Sequence, residues 1–80
     1  MKPFHCHPDA KAQHLRDLGH LYSFDFDLYR CGECGTAWVW AWSEYGSDWE
    51  KVTDEDAAKM QALSEAELRP FMKVWAQEFN

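Results

Sequence analysis

The sequence lacks most of the features that announce a function. It has no apolar run of about 18 residues to cross a bilayer, and residues 1–8 lack the charged-then-apolar order of a secretory leader, so a cytoplasmic protein is expected. Its 3 cysteines are an odd number that suits a disulfide framework badly, and in a reducing compartment clustered thiols more often bind metal. Cations are few: 8 Lys and Arg stand against 14 Asp and Glu, for a net charge of -6. Over residues 1–30, Asp9, Asp17, Asp25 and Asp27 balance Lys2, Lys11, Arg16 and Arg30, so the acidic excess lies in the C-terminal part. That balance opposes binding to a phosphate backbone, which needs clustered Lys and Arg. It suits a basic protein partner, or simply an acidic, solvated surface. There is no nucleophile with an adjacent base, no phosphate loop, no open catalytic metal site, no repeat and no long linker. The chain therefore reads as a non-enzyme.

Aromatic residues are plentiful: 5 Trp, 5 Phe and 3 Tyr in a chain that is 46% hydrophobic. Eighty residues allow a single domain, 1–80, whose core is marginal without reinforcement by a metal, disulfides or a partner copy.

Residues 2–7 read as extended, and Pro8 and Asp9 open a short helix with Leu15 and Leu18 as its apolar positions and Gly19 as its stop. In 21–29, Phe24, Phe26 and Leu28 alternate with Asp25 and Asp27, the period of a strand with one buried and one wet face. A second strand over 36–43 sends Trp38, Trp40 and Trp42 one way and Ala37, Val39 and Ala41 the other, and turn residues at 45–48 lead to a third strand over 49–52. Thr53 with Asp56, and Ser64 with Glu67, form cap patterns that predict helices over 54–62 and 65–79. Leu68, Phe71, Trp75 and Phe79 would form the packing face of the second helix. Pro70 predicts a kink or break beside Arg69, or else a first helix running to Arg69 and a new one starting at Pro70. The expected fold is α+β: a small metal-stapled domain built on a three-stranded antiparallel meander. It has a zinc knuckle at the first hairpin, a short N-terminal helix and two C-terminal helices packed on the sheet. Within it, 1–35 is the metal-binding part, 36–52 the Trp-rich hairpin and 53–80 the acidic helical part.

The segment Cys31-Gly32-Glu33-Cys34-Gly35 carries the strongest chemical signal. Two cysteines three positions apart place both sulfurs on one ion when the turn between them is tight, and glycines supply the backbone angles that such a turn needs. Over residues 26–42 the chain resembles the knuckle of zinc-ribbon and rubredoxin-like proteins, a likeness shared by many unrelated functions. Cys6 is the third expected ligand. The fourth departs from the ribbon pattern: His14 ranks first, His7 second and His5 third, with Asp9 and His20 behind them. Thiolate ligands favour one structural Zn2+, with iron as the alternative, and four protein ligands would close the site to water and substrate. A redox dithiol is the competing reading of Cys31 and Cys34, although such pairs normally sit at a helix start.

Trp38, Trp40 and Trp42 invite a stacking site for sugars or unpaired bases, but packing beneath the helices is the favoured reading, with a homo-oligomer interface as a further one. Asp25 and Asp27 read as the wet face of a strand rather than an acid–base pair. The expected function is a small non-catalytic zinc-binding protein that acts by protein–protein interaction, as an inhibitor, immunity factor or adaptor. A nucleic-acid-binding zinc ribbon and a Cys-x-x-Cys redox protein are the alternatives.

Overall fold

Alternating side chains in the first two thirds of the chain build one antiparallel sheet, and the computed structural model describes it over residues 12–32 and 35–77. Strands β1 (Ala12–Leu21), β2 (Phe24–Cys31), β3 (Ala37–Ser43) and β4 (Gly46–Val52) follow one another in space in chain order. Helices α1 (Asp54–Ala62) and α2 (Glu65–Gln77) complete the described chain. The sheet has four strands, not the expected three, and the segment read as an N-terminal helix forms β1 where it is described. Among the described residues no group of three or more His, Cys, Asp or Glu side chains could hold a metal ion, so the metal-stapled meander gives way to a sheet packed on two helices.

The reason for the misread helix lies in the pairing of β1 with β2. The register shifts between His14 and Arg16 and again between Asp17 and Gly19, each shift adding one residue to β1. An added residue lengthens the strand repeat locally from two to three. Leu15, Leu18 and Leu21, three positions apart, all reach the core or its margin. A doubly bulged strand thus reproduces the spacing of a helix face. The following turn is also unmarked: Tyr22 and Ser23 carry φ of 53° and 70° in the two-residue connection to Phe24, a conformation usually given to Asn or Gly.

Beyond Cys31 the chain closes sharply. Gly35 N–H donates to Cys31 O and Cys31 N–H to Thr36 O, both at 2.9 Å, and Gly35 takes φ of 77°. Pairing then runs Phe26 with Ala41 and Leu28 with Val39, so a large residue of β2 lies beside a small one of β3 on the helix-covered face. Trp38, Trp40 and Trp42 consequently lie on the side of β3 away from the helices, and not beneath them as expected, although Trp38 is itself buried, because Ala37, Val39 and Ala41 are the β3 residues in the core with Met60, Leu68 and Met72. Small side chains on β3 allow the helices a close approach that indoles in the same layer would block.

The helices follow their caps. Asp56 N–H donates to Thr53 Oγ1 (3.1 Å), and Ser64 and Glu67 form a reciprocal capping box. Pro70 is accommodated inside a continuous α2, without the expected break. The fully buried stripe of α2 is Leu68, Met72 and Ala76, with Phe71 and Trp75 partly buried beside it, and Phe79 lies outside the described residues. Arg16, turned toward the helices by the first bulge, donates from one guanidinium nitrogen to Met60 O (2.8 Å) and Leu63 O (2.6 Å). It thus satisfies carbonyls at the end of α1 and places positive charge at the negative end of the helix dipole.

Met72 is fully buried whereas Val74, two residues on, is 64% exposed. Met72→Ala is expected to cost about 2–5 kcal/mol of unfolding free energy and Val74→Ala less than about 1 kcal/mol. Urea denaturation of the two variants checks this, and equal losses would contradict the packing.

Candidate interaction surface

Because cross-strand neighbours share a face, one register sets the composition of the whole sheet surface away from the helices. On β2 and β3 the pairs are Asp25 with Trp42, Asp27 with Trp40, and Tyr29 with Trp38. On β4, Trp49 lies opposite Trp40, Ser47 opposite Trp42 and Lys51 opposite Trp38. From β1, His14 lies opposite Tyr29, Asp17 opposite Asp27 and His20 opposite Asp25. An aromatic centre therefore borders a run of carboxylates and histidines.

The aromatic rings touch in a chain across the strands. Trp40 and Trp49 have centroids 4.8 Å apart, Trp49 and Tyr29 5.2 Å apart, and Tyr29 and His14 5.2 Å apart, the last two pairs edge to face. Such contacts hold the rings in place and preorganise the surface. Exposure varies along β3: Trp38 is 1% exposed, Trp40 partly buried and Trp42 49% exposed. Small Ser47 opposite Trp42 leaves that indole open.

The polar margin is also ordered. His14 Nε2 donates to Asp27 Oδ1 (3.0 Å) and His20 Nδ1 to Asp25 Oδ1 (2.9 Å). Asp17 Oδ1 accepts from Gly19 N–H at 2.9 Å. Burial raises the Tyr29 hydroxyl above its ordinary pKa of 10.0, and the Asp27 carboxylate adds to the shift, so the phenol stays neutral and can donate a hydrogen bond.

The expected metal ligands are only partly within view. Cys6, Cys34, His5 and His7 lie outside the described residues, as does Asp9. Cys31 ends β2 as a buried free thiol, and a buried thiol on a strand lacks the exposure and helix dipole that activate redox cysteines. His14 lies on β1, not on a helix, and its Nε2 is bonded to Asp27. His20 is bonded to Asp25. The residues that sequence reasoning undervalued are Asp25, Asp27, Tyr29 and Trp49. Their shared face follows from counting outward from the turn between Cys31 and Thr36 and, for Trp49, from the turn between Ser43 and Gly46, registers that alternation within each strand does not supply.

No protein-family model matches the chain, and no curated protein or solved structure matches it. The functional reading accordingly rests on the surface itself.

At the margin of the sheet, burial and the neighbouring Asp48 carboxylate raise the Glu50 pKa above its ordinary 4.5. The folded protein then holds that proton to higher pH than the unfolded chain, so stability is lost as pH rises from 4.5 through the folded value. Glu50→Gln is expected to raise the melting temperature slightly at pH 7 and to leave it unchanged at about pH 3.5, where Glu50 is protonated in both states. Thermal unfolding at both pH values checks this, and an equal difference at each would contradict it.

Proposed function

We propose that this protein is a non-catalytic binding domain that docks a basic protein through the aromatic, acid-bordered face of its sheet. The observation that carries the reading is Trp42, half exposed on the strand that also carries Trp40, with Asp25 opposite it on β2. An exposed indole costs free energy in water, and indoles are enriched at the centres of protein interfaces. The net charge of -6 favours a cationic partner by steering its approach and rejecting acidic competitors. The carboxylates on the same face oppose a single-stranded nucleic acid, although the indoles alone would suit base stacking.

The immobilised chain is expected to retain basic proteins from a lysate of its native host in a salt-sensitive manner, and Trp40→Ala with Trp42→Ala should abolish that retention. Retention unaffected by the double substitution, or salt-sensitive binding of a single-stranded oligonucleotide in a filter assay, would contradict the reading.

A structural Zn2+ on Cys31, Cys34 and Cys6, with a histidine as fourth ligand, is part of the same proposal. What supports it is the buried Cys31 thiol at the start of a turn closed by two backbone hydrogen bonds and a left-handed Gly35. The ion would strengthen the fold and take no part in docking. Protein purified without chelator is expected to contain about one zinc per chain and to lose thermal stability with EDTA, since in so small a domain metal binding energy is folding energy. Elemental analysis that finds no metal would remove this part.

A further inference from the structure

Two of the cross-strand pairs on the face away from the helices have the same composition. Asp25 stands opposite Trp42 and Asp27 opposite Trp40, each a carboxylate beside an indole. The two pairs are two residues apart on both strands, hence about 6.8 Å apart along the sheet. The histidines occupy only one oxygen of each carboxylate, Oδ1, and no hydrogen bond reaches either Oδ2 among the described residues. Asp17 lies directly opposite Asp27, so three carboxylates crowd this side of the face. Like charges paired across strands are destabilising until a cation arrives between them.

An indole face attracts a cation through its quadrupole, and a carboxylate beside it fixes the cation by a charge-assisted hydrogen bond. Arginine satisfies both demands: its planar guanidinium stacks on the ring while its N–H groups point outward in the plane toward the oxygen, which a lysine ammonium does less well. Alternate side chains of an extended peptide are also about 6.8 Å apart and share one side.

Resting on the docking proposal above, we propose that the pairs Asp25–Trp42 and Asp27–Trp40 are two seats for arginine side chains at positions i and i+2 of an extended partner segment. The Asp25–Trp42 seat is the more open, with Asp25 53% and Trp42 49% exposed against 28% for Asp27, and contributes more. Partner specificity then comes from arginine spacing and not from total charge.

The test uses the full chain and three blocked peptides, built on Arg-Ser-Arg, Arg-Ser-Ser-Arg and Lys-Ser-Lys with the same Gly-Ser flanks. Dissociation constants are read from indole N–H shifts in NMR titrations. The first peptide is expected to bind about tenfold more tightly than the others, and Asp25→Asn or Trp42→Ala to weaken it about tenfold. Glu55→Gln on α1, an equal change in charge away from this face, should leave binding unaltered. Both sites of substitution on the sheet are exposed, and unchanged circular dichroism confirms that the variants fold. Equal binding of the three peptides, with Asp25→Asn and Glu55→Gln weakening it alike, overturns the paired seats and leaves a diffusely attractive face, so the docking proposal survives. If no basic peptide perturbs any indole, both proposals fall.

Discussion

The structure depends on the register between β2 and β3. A single pairing, Leu28 with Val39, determines which of two apolar β3 faces meets the helices. Slipping that pairing by one residue would turn Trp38, Trp40 and Trp42 into the helix layer and expose Val39 and its neighbours. The tight connection from Cys31 to Thr36 sets this register, and Gly35 with its positive φ makes the turn feasible. Core composition, helix approach and the chemistry of the outer face all follow from that one geometric constraint.

Seen this way, the two faces of the sheet are complementary solutions to the same problem. Toward the helices, Phe26 and Leu28 supply volume while Ala41 and Val39 give it up, so Met60 and Met72 can pack against the sheet. On the other side, Trp40 packs against Trp49, and Trp49 against Tyr29. The acids of β2 and the histidines of β1 then keep the surroundings of that aromatic patch hydrated. On this face Trp42 is half exposed, with Trp40, Trp49 and Tyr29 partly buried beside it.

Much of this was legible in the sequence, and the rest was hidden for identifiable reasons. Alternation marked β2 and β3, and the Thr53 and Ser64 caps marked both helices, because those signals are local. The leucines of β1 were misleading because two bulges stretch the strand period to that of a helix. The first hairpin was invisible because Tyr22 and Ser23 adopt a backbone conformation that turn chemistry assigns to other residues. The outer face was misjudged for a different reason: two apolar sides of one strand cannot be told apart without its neighbours' register. Of the expected metal ligands, Cys31 occupies the end of β2, His14 is engaged by Asp27, and Cys6 and Cys34 lie outside the described residues.

The central claim is that β3 turns its small side chains to the helices and its indoles outward. Nuclear Overhauser contacts measured on the isotope-labelled chain test it most directly. The account predicts strong contacts from the Val39 methyls to residues of α1 and α2, and from the Trp40 ring to Trp49 but not to either helix. Contacts from Trp40 to Met60 or Met72, with Val39 showing none, would contradict it.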